Sequence, residues 1–153
     1  MMTKRNKLIK QLKPYFDIRE LVCPHVYERF KNNAWQFIST ELLSTLLVLR
    51  TVILNKPMIV NNWKSNGSYS QRGLRCNLCS LIKNKNNCYL SAHSLGKAVD
   101  FNVPEQTAEQ IRKIIKENID KFEYPIRLEE GTSWVHIDCY TLDDSIKLVT
   151  FKE

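Results

Sequence analysis

The stretch KAVDFNV, residues 97–103, alternates bulky apolar residues with small or polar ones. Successive side chains of a strand point to opposite faces, so one face is apolar and Asp100 lies on the other. A second stretch, WVHIDC at residues 134–139, alternates in the same way and carries His136 on its polar face. Two such strands predict a sheet with chemical groups on one face and hydrophobic residues on the other.

A third strand is predicted immediately before the second of these stretches. The segment Ile126–Glu130 is separated from it by a Gly-Thr-Ser sequence that suits a tight turn, so the two would pair as a hairpin. If the aliphatic residues of this segment enter the core, Arg127 and Glu129 lie on the face of His136. This register favours Glu129 as the carboxylate near that histidine, whereas one extra loop residue or a bulge would bring Glu130 there instead.

Apolar periodicity predicts two helices. In Asn33–Leu54 the apolar residues recur every three or four positions, which places them on one helical stripe, and Pro57 follows the end of the segment. The segment Thr107–Phe122 repeats this pattern after a T-x-x-Q capping box that starts at Thr107. Between the two helices, Pro57–Trp63 predicts a further strand.

Length and composition set the domain organisation. With 153 residues, 43% of them hydrophobic, the chain is long enough for one compact domain and short for two. Residues 64–90 are rich in Asn, Ser, Lys and Cys and show little periodicity, which predicts a long irregular loop that binds a substrate or a metal. Residues 1–13 are a basic N-terminal segment. We therefore expect a single domain over residues 1–153.

The charge of the chain indicates its partners. The basic N-terminal segment lacks the apolar core and cleavage site of a secretory signal, so signal-dependent export is not expected. The longest aliphatic run, Leu46–Leu49, is far shorter than the roughly 20 apolar residues of a membrane span. A net charge of +7 suits an anionic partner, either nucleic acid or a cell-wall polymer. The cations form no aromatic-interleaved stripe, so we expect no nucleic-acid partner and no membrane.

Five cysteines, an odd number, fit a reducing compartment and argue against a fully paired disulfide framework. Cys76 and Cys79 form a C-x-x-C pair, Cys88 follows nine residues later, and the segment Cys23–His25 lies upstream. Together they could hold a second, structural zinc ion if the fold brought them close. The alternative is a set of reduced cysteines packed as small hydrophobic residues.

Two histidines and one aspartate form the candidate site, which we call the metal triad: His93, Asp100 and His136. Two imidazoles and one carboxylate bind zinc while leaving a fourth position open for water, which is typical of a catalytic site. Zinc in such a site lowers the pKa of its water from about 15.7 to about 7. Glu129, or Glu130 in the other register, would take the proton from that water and pass it to a leaving amine.

Ordinary explanations exist for each of these residues. The histidines could cap backbone groups or lie half-buried on a strand, and the aspartate could pair with a lysine such as Lys97. The whole set, on two strands of matching polarity, favours a metal site. Arg72 and Arg75 of the irregular loop could clamp a substrate carboxylate, or could be solvent-exposed cations.

These residues resemble a motif of the M15 family of zinc peptidases, the D-alanyl-D-alanine carboxypeptidase group. The family pattern is S-x-H-x-x-G-x-A-x-D, followed later by a W-x-H strand. The matching residues are Ser91, His93, Gly96, Ala98, Asp100, Trp134 and His136. Glu20–Pro24, Asn61–Trp63 and Arg72–Cys76 are also similar to the short phage and bacterial members of the family, so the resemblance covers most of the chain.

The resemblance implies a small α+β fold with an antiparallel sheet and helices packed on one face. Hedgehog signalling domains and D-Ala-D-Ala carboxypeptidases have this fold. It also implies one zinc ion, Zn2+, held by the metal triad. Some relatives carry the catalytic base three residues before the last histidine, where this chain has Ser133. The R-x-E sequence of the short members maps onto Arg127 and Glu129, which are thus expected to bind substrate and to act as the base.

The resemblance further implies hydrolysis of peptide bonds in peptidoglycan stem peptides, as a carboxypeptidase or an endopeptidase. The residues expected to bind substrate are Arg72, Arg75, Ser91, Arg127 and Trp134. A phage endolysin or a virion-associated wall hydrolase is expected. Such a protein stays in the cytoplasm of the producing cell until lysis, or is carried in a virion with virion proteins as partners. The alternative is a zinc-stabilised structural or wall-binding virion module without peptidase activity.

Overall fold

The computed structural model describes residues 1–141 and 143–153, which form an α+β structure with four α-helices and one mixed four-stranded sheet. The helices are Lys4–Leu12 (α1), Pro24–Phe30 (α2), Thr40–Val48 (α3) and Ala108–Glu117 (α4). The strands are Ala98–Phe101 (β1), Ile126–Glu129 (β2), Val135–Asp138 (β3) and Leu148–Phe151 (β4). The order of strands in the sheet is β1-β3-β2-β4.

β3 lies between β1 and β2 and is antiparallel to both. Asp100 of β1 lies opposite His136 of β3, and Arg127 of β2 lies opposite Asp138. The predicted hairpin between β2 and β3 is therefore confirmed. The prediction of a purely antiparallel sheet is wrong at one edge, because β4 pairs with β2 in parallel. β4 lies on the far side of β2 and begins opposite Ile126, at the end of the sheet where β3 finishes, so it runs back in the direction of β2.

Side-chain caps determine where the predicted helices begin. The Thr107 hydroxyl accepts a hydrogen bond from the Gln110 amide and the Gln110 side chain accepts one from the Thr107 amide, so the predicted capping box is confirmed. The Ser39 hydroxyl caps α3 by accepting a hydrogen bond from the amide three residues later. The predicted helix Asn33–Leu54 is therefore wrong in its first turns, since Lys31–Phe37 form a 3-10 helix before this cap.

α3 and α4 each continue into a short helical turn of a different type. α3 is followed by the π-helical turn Leu49–Ile53, and α4 by the 3-10 turn Ile119–Lys121. α1 packs against α3 and buries Leu8 and Leu12. The basic N-terminal segment is thus mostly a helix that contributes two leucines to the core.

Little regular structure lies between α3 and β1. The predicted strand Pro57–Trp63 is reduced to one bridge, in which Ile59 and Asn102 exchange backbone hydrogen bonds of 2.8 and 3.1 Å. Residues 66–97, all of them described, contain turns and bends with one further bridge, between Val22 and Leu74. That bridge attaches the middle of the long loop to the N-terminal part of the chain.

Among the described residues, no single helix is long and apolar enough to cross a membrane. The segments Pro24–Phe37 and Thr40–Ile53 reach that length and composition only when taken together, across a bend of 83°.

Candidate metal centre

The metal triad comes together where β1 and β3 pair. Because Asp100 lies opposite His136 in the register of these strands, the two side chains are neighbours on one face of the sheet. His93 reaches the same point from the turn before β1, and one ligand atom of each residue lies within 4.8 Å of the others. All three residues are buried, with exposed fractions of 5, 6 and 8% for His93, Asp100 and His136.

The turn that carries His93 is held by two serines and a glycine. The Ser91 and Ser94 hydroxyls each accept a hydrogen bond from the other residue's amide, of 3.1 and 2.8 Å. Gly96 has a positive φ of 66°, and an added Cβ there would lie 1.9 Å from the Phe37 carbonyl oxygen. Only glycine fits this position, because it tolerates the backbone angle and has no side chain to clash.

Outer hydrogen bonds determine which nitrogen of each histidine faces the centre of the triad. His93 donates from Nδ1 to the Gly73 carbonyl at 2.9 Å, which leaves Nε2 facing Asp100 at 3.3 Å. His136 has the Asp138 carboxylate 2.8 Å from Nε2, so its Nδ1 faces Asp100, also at 2.8 Å. Metal-binding histidines typically donate their outer N–H to a carbonyl or carboxylate in this way. This donor set fits a divalent cation such as zinc.

The charges within the triad are strongly coupled. Burial disfavours the imidazolium of His136, but its hydrogen bonds to Asp100 and Asp138 outweigh that effect and raise its pKa to about 9. Burial also opposes ionisation of Asp100, yet hydrogen bonds to His136 and His93 hold the pKa of that carboxyl below its usual range. His136 and Asp100 therefore stabilise each other's charged forms. A metal ion bound at the triad would displace the proton of His136 that faces Asp100.

Asp138 is the residue of this centre that sequence reasoning missed. Its side chain is fully buried and accepts hydrogen bonds from Arg127 Nε at 2.8 Å and Nη2 at 2.9 Å, and from the Tyr140 amide at 2.9 Å. These hydrogen bonds fix the carboxylate, which in turn orients the His136 ring through its contact with Nε2. The signal for it in the sequence is the H-x-D spacing, because residues two positions apart in a strand point to the same face.

The triad lines a cavity of about 300 Å³. The other residues of the predicted site that line it are Arg75, Ser91, Arg127, Glu129 and Trp134. Burial raises the pKa of Glu129. Glu130 is not among the lining residues, and its carboxylate pairs with Lys116 Nζ at 2.5 Å. The register of β2 thus brings Glu129, rather than Glu130, to the cavity of the triad.

The two loop arginines occupy different places. Arg75 lines the cavity, with Nη2 3.2 Å from the Asp100 carboxylate. Arg72 donates to the Asn102 side chain at 2.7 Å and lies over the Tyr69 ring, in a neighbouring depression. The Arg72 carbonyl also accepts a hydrogen bond of 2.7 Å from the Asp100 amide. Arg72 therefore supports β1, while Arg75 faces the triad directly.

A second group of side chains that could bind a metal lies where the long loop meets the start of α2. One ligand atom from each of Cys23, His25, Cys76 and Cys79 lies within 4.8 Å of the others. The fold thus assembles most of the cysteine and histidine set considered from the sequence. Cys88 is exposed and lies outside this group.

No family model, no curated protein and no solved structure matches this chain. Its class is therefore defined by its own geometry: an α+β structure with a small mixed sheet and two clusters of residues that could bind metal.

Proposed function

We propose that this chain is a zinc-dependent peptidase of the M15 type, with a hedgehog and D-Ala-D-Ala carboxypeptidase-like fold, that hydrolyses peptidoglycan stem peptides. The observation that carries the proposal is the presence of the metal triad and Glu129 in one cavity. A three-ligand site that opens into a cavity leaves room for water and substrate, whereas a structural zinc site is closed by four protein ligands. The resemblance of both motifs to the M15 pattern supports the same class.

The residues of the cavity divide the chemistry between them. Zinc held by the triad would act as a Lewis acid on the scissile carbonyl and on water. Glu129 accepts the proton of the attacking water and delivers it to the leaving amine. The raised pKa of Glu129 suits this role, because a base works best when its pKa approaches the working pH. Asp138 keeps the His136 ring in its ligating orientation.

The cations of the cavity suit a substrate with free carboxylates, as stem peptides have. Arg127 binds Asp138 through Nε and Nη2 and so retains Nη1 for a substrate. Arg75 contacts Asp100 through Nη2, which leaves part of its guanidinium available in the same way. Trp134 adds an apolar wall. The net charge of +7 favours association with the anionic wall.

Digestion of purified cell wall tests this function. Zinc-loaded protein should release new peptide termini, and mass spectrometry of the muropeptides identifies the bond that is cut. Glu129→Gln should slow digestion by about 100- to 10,000-fold while zinc content is unchanged, because it removes proton transfer. Glu130→Gln is the matched control, since this neighbouring carboxylate pairs with Lys116 away from the cavity. Normal digestion by Glu129→Gln, or an equal loss in both variants, would contradict the assigned base.

A zinc-stabilised wall-binding or structural module is the second candidate. The observation that favours it is Ser133, which stands where some M15 relatives carry the catalytic carboxylate. A binding module sediments with purified wall but releases no new termini. An enzyme loses all digestion on His93→Ala, and unimpaired digestion by that variant would exclude the triad from catalysis. In either case we propose that the protein reaches the wall at cell lysis or as part of a virion.

A further inference from the structure

The second group of ligands, which we call the cysteine–histidine cluster (Cys23, His25, Cys76 and Cys79), has the dimensions of a tetrahedral metal site. The Cys23 and Cys76 sulfurs lie 3.7 Å apart, and the Cys79 sulfur lies 3.8 Å from His25 Nδ1. Zinc–sulfur bonds of about 2.3 Å in tetrahedral geometry separate neighbouring sulfurs by about 3.8 Å. A disulfide bond would require a separation of about 2.05 Å. The spacing therefore suits four bonds to one central ion.

Backbone contacts hold the two ligand segments together. The Cys23 amide donates to the Leu74 carbonyl at 3.0 Å, and the Leu74 amide donates to the Leu21 carbonyl at 2.9 Å. At Gly73 the two segments are so close that an added Cβ would lie 2.1 Å from the Leu21 carbonyl oxygen. The fold thus positions the ligands by main-chain contacts in addition to any bond through an ion.

We propose that the cysteine–histidine cluster is a second, structural site for a soft divalent metal ion, with zinc as the preferred ion. Three thiolates and one imidazole fill all four positions of tetrahedral zinc, so no position remains for a substrate. Cys23 and Cys79 are buried and Cys76 is partly buried, so the thiols of the cluster are largely shielded from solvent. Packing of thiols as small hydrophobic residues accounts for them but not for His25, an exposed imidazole whose Nδ1 faces a sulfur.

The second ion would stabilise a segment that supports the metal triad by hydrogen bonds. This segment, residues 72–75, lies immediately before the C-x-x-C pair. Four hydrogen bonds join it to the triad. The Gly73 carbonyl accepts from His93 Nδ1, the Arg72 carbonyl accepts from the Asp100 amide, and Arg75 donates from its amide to the His93 carbonyl and from its guanidinium to the Asp100 carboxylate. Loss of the cysteine-bound ion should therefore weaken metal binding at the triad without removing any of its ligands. The inference goes beyond the proposed peptidase function, because a structural ion does not depend on catalysis.

Titration of the full-length protein with cobalt(II) distinguishes the two sites, since only thiolate-bound cobalt shows intense sulfur-to-metal charge-transfer absorption. The wild type should bind about two equivalents, one of which produces the thiolate band. The double variant Cys76→Ser/Cys79→Ser should lose the band and at least one equivalent. Cys88→Ser, the exposed cysteine of the same loop, should keep both. A band that persists in the double variant, or that disappears in Cys88→Ser, overturns the proposal.

Thiol reactivity of the wild type gives a second measurement that requires no variant to fold. In zinc-loaded protein the cysteines of the cluster should resist alkylation while Cys88 reacts, and a chelator that removes zinc should make them reactive. Equal reactivity before and after zinc removal overturns the proposal. So does a Cys23–Cys76 disulfide, detected by mass spectrometry in protein prepared without reductant. Neither result depends on wall digestion, so failure of this inference and failure of the peptidase function are distinguishable.

Discussion

The two clusters of side chains that could bind a metal are built in different ways. In the metal triad, Asp100 and His136 face each other across the β1–β3 ladder, and the third ligand comes from an adjacent turn. In the cysteine–histidine cluster, Cys23 and His25 lie at the start of α2, and the C-x-x-C pair lies in the irregular loop. One isolated bridge, Val22 with Leu74, joins the two segments. The triad offers three ligands beside a cavity, whereas the cluster offers four. In the functions proposed above, the number of ligands separates the two clusters: three leave a coordination position open for chemistry, and four close a site that supports the fold.

The largest expected effect is a difference in metal loss between the two clusters. Brief treatment of zinc-loaded protein with dipicolinate should remove about one equivalent and abolish wall digestion, because the open position of the triad lets the chelator bind before zinc leaves. The second equivalent should stay until the protein is treated for longer or unfolded. Zinc analysis and thiol alkylation of the same samples check this order. Simultaneous loss of both ions would remove the distinction between an open and a closed site.

The next effect concerns the support of the triad. Asp138→Asn removes the carboxylate that orients His136, and it should weaken zinc binding at the triad by about 10- to 100-fold. The thiolate band of cobalt at the cysteine–histidine cluster should be unchanged, as competition with a chromophoric chelator and absorption spectra would show. Asp120→Asn, at an exposed position, is the matched control. Equal weakening at both clusters would indicate general unfolding rather than loss of orientation.

The smallest effect tests the connection between the clusters. Gly73→Ala places a Cβ 2.1 Å from the Leu21 carbonyl oxygen, so the two segments must separate. We expect the free energy of unfolding, measured by urea denaturation, to fall by about 1–3 kcal/mol. Metal binding should weaken at both clusters, because the Gly73 carbonyl also accepts the hydrogen bond of His93.

Gly131→Ala is the control for this substitution. No described atom lies within 4 Å of its added Cβ, so only the positive φ of 88° opposes alanine, at about 1 kcal/mol. If Gly73→Ala weakened metal binding at the triad but not at the cysteine–histidine cluster, the Val22–Leu74 bridge would not couple the two clusters.

Features that depend on neighbouring residues were predictable from the sequence. The capping box at Thr107 and the β2–β3 hairpin follow from local spacing, and both are present. The helix Asn33–Leu54 was predicted too long because apolar periodicity does not distinguish a 3-10 turn from an α-helix, while the Ser39 cap does. The edge strand Leu148–Phe151 was missed, since nothing local in its sequence specifies a parallel partner.

For the candidate site, the sequence predicted which polar side chains share a face but not the contacts that support them. Alternation along the two strands identified the polar face that carries Asp100 and His136. The same alternation includes Asp138, but its role depends on Arg127 of a different strand. The loop position of Arg72 predicted contact with a substrate. The structure shows its guanidinium bonded to the Asn102 side chain, in a depression that Asp100 and Trp134 also line.

By itself, the sequence determined which side chains share a strand face and where a helix can be capped, because both are properties of a few consecutive residues. Only the tertiary structure decided which nitrogen of His93 faces the triad, through a carbonyl 20 residues away in the chain. It also decided that Cys23 meets Cys76, 53 residues later. The physical reason is that both outcomes depend on backbone contacts between distant segments, which no local pattern of side chains specifies.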